Sequence, residues 1–215
     1  MEKVEILKTI KDVLMNEDLL KLADLRIKLE EDVRKENYIT SPSDKKKITA
    51  IKKILSKNDE IRPLLSAFTR YGNGVAFTDS YQLYVLNDEY LPFKVACSTD
   101  EDKEYAKQHN LETVPGVYPN LKAIIPEEYE TTYEIDTNEF ILWSKTALKE
   151  DNKLLYKFKV EDTDYCFDGQ YLLNAINILK IKDPKITLEL RGNIRPITLH
   201  NKENELGLIL PIRTY

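Results

Sequence analysis

At 215 residues the chain has room for one or two domains with a full core. Hydrophobic residues make up 42% and charged residues 32%; no apolar run approaches the ~18 residues of a membrane span, and the start MEKVEILK has no secretory pattern. A net charge of −5 excludes a wholly basic nucleic-acid binder, so any DNA contact falls to local patches, and the widely separated Cys97 and Cys166 fit a reducing cytoplasm better than a metal site.

Val4, Leu7, Ile10, Val13 and Leu14 recur at helical spacing, and a second stripe follows in Leu22, Leu25, Leu29 and Val33. The pair reads as a helical hairpin over residues 1–40, ended by the turn signals Thr40-Ser41-Pro42-Ser43. A third helix is predicted over about 44–57, with Ile48, Ile51, Ile54 and Leu55 on one face. Lys46, Lys53 and Lys57 project opposite them, with Lys45 and Lys52 to one side. Six lysines face one acid, Asp44, in this stretch of an acidic chain. That is either a solvated face or a surface for phosphates, where lysine acts as a sequence-blind point charge.

Residues 62–87 read as two or three strands, with an Asn-Gly hairpin signal in Tyr71-Gly72-Asn73-Gly74. The stretch 97–117, with Asp100, Glu101, Asp102 and the pair Pro115-Gly116, reads as a linker or long loop. A strand at 131–136 precedes a helix at 138–150 that buries Phe140, Trp143 and Ala147 and turns Lys145 and Lys149 away. Strands follow at 154–160 and 164–168. A helix at 170–181 sets Leu172, Leu173, Ile176 and Leu179 inward, with Gln170, Asn174 and Asn177 outward. Strands at 185–190, 195–200 and 206–212 close the chain, and Pro211 suggests that the last lies at a sheet edge. The fold class is α+β: a strand-helix-strand pattern given twice, with helices on one face of the sheets.

Four segments, in order, resemble the bacterial β sliding clamp, the ring that holds a replicative polymerase on DNA. Thr78-Asp79-Ser80-Tyr81-Gln82-Leu83 matches a family pattern that usually reads T-D-(G/S)-H-R-L. Tyr118-Pro119-Asn120 through Ile124-Ile125-Pro126 is similar to the segment joining the family's middle and last domains. FDGQYLLNAINIL, from Phe167 to Leu179, resembles the helix start F-N-x-x-Y-L-L-D-A-L, and Arg195-Pro196 with the tail LILPIRTY fits the closing strands. The resemblance covers roughly residues 62–215 and divides the chain into a helical extension (1–40), a partial middle-domain-like region with linker (41–117) and a last-domain-like region (118–215). It provides no counterpart for the family's first domain, which helps close the ring. A reduced, phage or mobile-element form is the expectation.

The resemblance implies a sliding-clamp-like fold and a DNA replication accessory role. A partner-peptide groove would have Thr78, Ser80, Tyr81, Gln82 and Leu83 on one wall, with Pro126 beneath, and Leu208, Leu210, Pro211, Ile212 and Arg213 on the other. Its occupants would be clamp-binding motifs of a DNA polymerase or other replication proteins, anchored by apolar side chains and a glutamine. Tyr81 and Gln82 replace the usual His-Arg and make the rim bulkier and less basic. Lys46, Lys53, Lys57, Lys145, Lys149 and Lys180 would face double-stranded DNA without sequence preference, encircled by a cytoplasmic homo-oligomer. The alternative is a non-ring module that binds, sequesters or regulates replication proteins without sliding. No cofactor or metal is implied. An enzyme is not expected: His109 and His200 lack triad or ligand spacing, and Gly72-Asn73-Gly74 lacks the GK(S/T) ending of a phosphate loop.

Overall fold

The computed structural model describes residues 42–57, 60–87, 90–150 and 154–212, with the backbone alone over 148–150. The hairpin expected over residues 1–40 lies outside the described residues. The chain divides into two compact units, Met1–Lys45 and Lys46–Tyr215, and all the described strands lie in the second.

Helix α1 (Pro42–Ser56) buries Ile51, Ile54 and Leu55, as its periodicity predicts, and leaves Lys46, Lys52 and Lys53 exposed. Lys47 is an exception: its place on the helix puts it among the buried residues. A short 3₁₀ turn (Pro63–Ser66) leads to strands β1 (Thr69–Tyr71), β2 (Gly74–Thr78) and β3 (Gln82–Leu86). The β1–β2 turn centres on Gly72-Asn73 rather than Asn73-Gly74, since Tyr71 pairs with Gly74. Gly72 takes φ +58°, a left-handed first turn position that suits glycine and matches strand twist.

The stretch 97–117 is not a loop. After β4 (Val95–Cys97) comes helix α2 (Asp100–Gln108), then β5 (Thr113–Pro115), which pairs in parallel with β4. Thr99 caps α2: its hydroxyl accepts from the Asp102 N–H at 3.2 Å while the Asp102 carboxylate accepts from the Thr99 N–H at 3.0 Å. The acidic run is therefore the helix's first turn, where carboxylates oppose the macrodipole favourably. His109 is the C-cap residue of α2.

A single helical turn that the spacing did not predict, α3 (Leu121–Ile124), opens the second half, which then follows the predicted order: β6 (Thr131–Asp136), α4 (Thr137–Glu150), β7 (Leu155–Val160), β8 (Thr163–Asp168), α5 (Gly169–Ile178), β9 (Lys185–Leu190), β10 (Ile197–His200) and β11 (Leu206–Ile209). The β7–β8 hairpin packs aromatically: Tyr156 meets Phe140 and Trp143 of α4 edge-on, and Phe158 stacks on Tyr133 of β6 at 4.3 Å. The main sheet has seven strands in the order β1-β2-β3-β11-β10-β9-β6.

Two consequences bear on function. The last strand is not an edge: β11 lies between β3 and β10, and Pro211 falls beyond its end, where no ladder hydrogen bond is needed. The β3–β11 ladder also joins the region before residue 117 to the region after it. Leu83 pairs with Leu208 and Gln82 with Ile209. On one face Ala76, Leu83, Leu121 and Leu208 form a buried cluster flanked by Tyr118, Ile125 and Leu210. On the other, a Cβ at Gly207 would stand 3.2 Å from Leu179, so glycine is what admits the end of α5 so close to the sheet.

Candidate functional site

The turn from Thr78 to Gln82 is built by its own polar side chains. The Thr78 hydroxyl donates to the Gln82 carbonyl at 2.7 Å and accepts from the Ser80 N–H at 3.0 Å. Asp79, 5% exposed, accepts the N–H groups of Tyr81 and Gln82 on Oδ1, both at 3.0 Å, and the Gln82 amide on Oδ2 at 2.9 Å. Ser80 is held at φ +78°, a conformation that a non-glycine residue adopts at some cost. Its hydroxyl accepts from Arg62 at 2.6 Å.

Gln82 was expected on the groove wall, yet it is 1% exposed and carries a buried network. Its Oε1 accepts from the Tyr84 hydroxyl at 2.9 Å and from Nδ2 of Asn174 at 3.1 Å. Asn174 therefore points inward, against expectation. Helical periodicity gave the wrong face because a buried amide is tolerated where a complementary amide and Gln170 satisfy it. Burial, then the nearby Asp79 charge, pushes the Tyr84 hydroxyl far above the ordinary phenol value. The same two causes, with smaller contributions from Asp168 and Tyr81, push Tyr171 up to about 12.

The C-terminal segment comes alongside this turn. Leu210 donates its N–H to the Tyr81 carbonyl at 2.8 Å, and Ile212 donates to the Cys166 carbonyl at 2.7 Å. Turn and tail, far apart in sequence, are thus neighbours in space. Leu83 and Leu208 are each 2% exposed and belong to the core beneath them. The accessible apolar surface is Tyr81, 59% exposed, and Ile212, 37% exposed, with half-buried Leu210 and Pro211 between. Pro126 lines a separate recess with Ile125, Lys122, Arg191 and Arg195. Arg191 anchors that border by donating to the Glu128 carbonyl and to the Thr198 hydroxyl. Arg213 lies outside the described residues.

Lys57, expected among the DNA-facing lysines, has its Nζ 3.5 Å from Asp79 Oδ2 and 5.9 Å from the centre of the Tyr171 ring. That ring in turn stacks on Tyr81, 6.4 Å between centres. Lys46, Lys53, Lys145 and Lys180 are exposed on or next to helices α1, α4 and α5. The Lys149 side chain lies outside the described residues. Four residues now stand at the site that the sequence did not place there: Asp79, Arg62, Tyr171 and Asn174. Asp79, Tyr171 and Asn174 lie inside the matched motifs, which was the available signal; Arg62 lies outside them.

Among the described residues no helix is long and apolar enough to cross a membrane. No protein-family model matches the sequence, and no curated protein matches it. Solved structures do match. The DNA polymerase sliding clamp from Bacillus subtilis is 17% identical with a TM-score of 0.54, over 81% of this chain and 63% of that one. The Helicobacter pylori beta clamp, bound to a DNA ligase peptide, is 14% identical with a TM-score of 0.56, over 78% and 63%. A sliding clamp from Bartonella birtlesii, bound to griselimycin, is 12% identical with a TM-score of 0.53, over 78% and 65%. The fold is that of the bacterial sliding clamps, and the chain spans a little under two thirds of their length.

Proposed function

We propose that this chain, which has the sliding-clamp fold, is a non-enzymatic DNA replication accessory protein that binds short peptide segments of replication proteins. They would bind where the 78–82 turn meets the 210–212 segment. The observation that carries the reading is that junction: Tyr81, Leu210, Pro211 and Ile212 form one accessible apolar strip, pinned by the hydrogen bond from Leu210 to Tyr81. Burial of a Leu or Phe anchor on such a strip is favourable because the strip is already ordered and little entropy is lost on its side. The Helicobacter pylori clamp of the same fold holds a DNA ligase peptide, which supports a peptide as the ligand class.

The departures Tyr81 and Gln82 shape preference. Gln82 is neutral and turned inward where the pattern has an arginine, and Tyr81 presents an uncharged ring, so the strip favours aromatic or aliphatic anchors over acidic ones. In the fuller form of the reading, exposed Lys46, Lys53 and Lys145 contact the phosphates of encircled duplex DNA within a homo-oligomer.

Light-scattering mass, with and without a fluorescently labelled peptide bearing a glutamine and Leu and Phe anchors, tests the reading. Capture of the peptide is expected, with about tenfold weaker affinity for the Leu210→Ala, Ile212→Ala double variant. A closed oligomer supports the ring, and a peptide-binding monomer supports a non-ring module. Wild-type protein that ignores the peptide overturns the groove.

A further inference from the structure

We infer that Lys57 is a positioning residue of this groove, holding the 78–82 turn and helix α5 in fixed relation so that Tyr81 and Tyr171 form its aromatic rim; the inference rests on the peptide-groove reading. Two departures from the clamp pattern meet in space. Position 82 usually reads Arg and is Gln; the residue of the helix motif that usually reads Asp is Asn174. In the fold these two amides bond to each other at 3.1 Å, within the network that includes Asp79. Gln82 and Asn174 are thus a neutral amide pair where the pattern sets opposite charges. The amide pair, completed by Tyr84, Gln170 and Asp79, is hydrogen-bonded, but it offers no positive charge to Asp79.

Lys57 supplies one. Among the described residues it is the cation in contact with the Asp79 carboxylate, which is otherwise held by backbone N–H groups and the Gln82 amide. It comes from outside the four matched segments, just beyond α1. About half of its side chain remains exposed, so the core does not depend on it. The same ammonium lies over the Tyr171 ring, where a cation is attracted to the π face. One flexible side chain therefore touches both sides of the rim: Asp79 in the turn that presents Tyr81, and Tyr171 at the start of α5. Without it, a nearly buried carboxylate keeps only neutral donors and the turn loses its charged link to the Tyr171 ring.

Three proteins decide the matter: wild type, Lys57→Met, which keeps the apolar stem, and Lys57→Arg, which keeps the cation. Their affinities for the labelled peptide are measured by fluorescence anisotropy, and the ring-proton shifts of Tyr81 and Tyr171 in the free proteins by NMR. The expected result is a roughly five- to tenfold loss of affinity in the Met variant, recovery in the Arg variant, and ring shifts that move in the first and return in the second. Equal affinity of the Met variant and wild type, a loss that Arg does not restore, or rings that stay unmoved overturns the inference. Failure of wild-type protein to bind peptide sinks the groove reading instead, and the ring shifts still judge the contact.

Discussion

Gln82 and Asn174 show how much a buried pair depends on both members. Gln82 is 1% exposed and Asn174 5% exposed, and the bond between them needs Asn174 to donate and Gln82 to accept. Replacing Asn174 by Asp sets a carboxylate against the Gln82 oxygen, two acceptors face to face. Replacing Gln82 by Arg buries a guanidinium beside Asn174, which offers its Nδ2 donors in that direction. We expect each single change to cost about 2–4 kcal/mol. The double variant Gln82→Arg, Asn174→Asp should cost less than the sum, because the new charges can pair. Urea unfolding of the four proteins measures the coupling, and additivity within about 0.5 kcal/mol would show that the two positions act independently. The Asn174→Asp cost also has a pH signature: burial raises the new carboxyl on folding, so the cost is full above that raised value, fades as pH falls from it, and is gone below about 4, where the unfolded carboxyl is protonated as well.

Helix α2 shows what a cap does when packing contributes little. Among its nine residues only Ala106 is buried, so the helix lacks the apolar stripe that usually fixes one in place. The Thr99–Asp102 box at its start compensates by satisfying end N–H groups. Thr99→Ala should destabilise the domain by about 1 kcal/mol. Burial tends to raise the Asp102 carboxyl, but the hydrogen bonds from Thr99 and Ser98 outweigh it and hold the group below the usual carboxylate range. A group lowered on folding contributes stability that is present above its unfolded value, near pH 4. That contribution is lost as pH falls through the folded value. Acid unfolding followed by circular dichroism should therefore be shallower in Asp102→Asn, which is less stable at neutral pH and closer to wild type in acid. Identical acid curves for the two proteins would remove the carboxylate from the account.

At the scale of the molecule, the seven-stranded sheet makes one body of two regions that the sequence divides near residue 117. The β3–β11 ladder puts the turn and the tail side by side, and Gly207 lets α5 approach the sheet that carries both. The proposed DNA contact belongs to this scale, since it needs lysines from separate helices on a chain of net charge −5. Lys46 and Lys53 are exposed on α1. If both meet phosphate, the variant Lys46→Ala, Lys53→Ala should bind a duplex of arbitrary sequence more weakly. Its log affinity against log salt should also have a slope shallower by about two. An unchanged slope would assign these lysines to solvent.

Sequence alone determined most of the local order. Period-2 and period-3.6 patterns placed β6, α4, the β7–β8 hairpin, α5 and β9 to within a few residues, because each of these elements buries one face and writes that face into its spacing. Helix α2 escaped because it buries almost nothing and so writes no pattern. The matched motifs marked both halves of the candidate groove. Which of their residues reach solvent was decided only by tertiary structure: Leu83, Leu208 and Gln82 went into the interior, while Tyr81 and Ile212 stayed accessible. The place of β11 inside the sheet, the inward turn of Asn174 and the contact of Lys57 with Asp79 were decided there too. Each depends on a partner distant in sequence, and a chain's own periodicity says which residues seek burial without saying what will cover them.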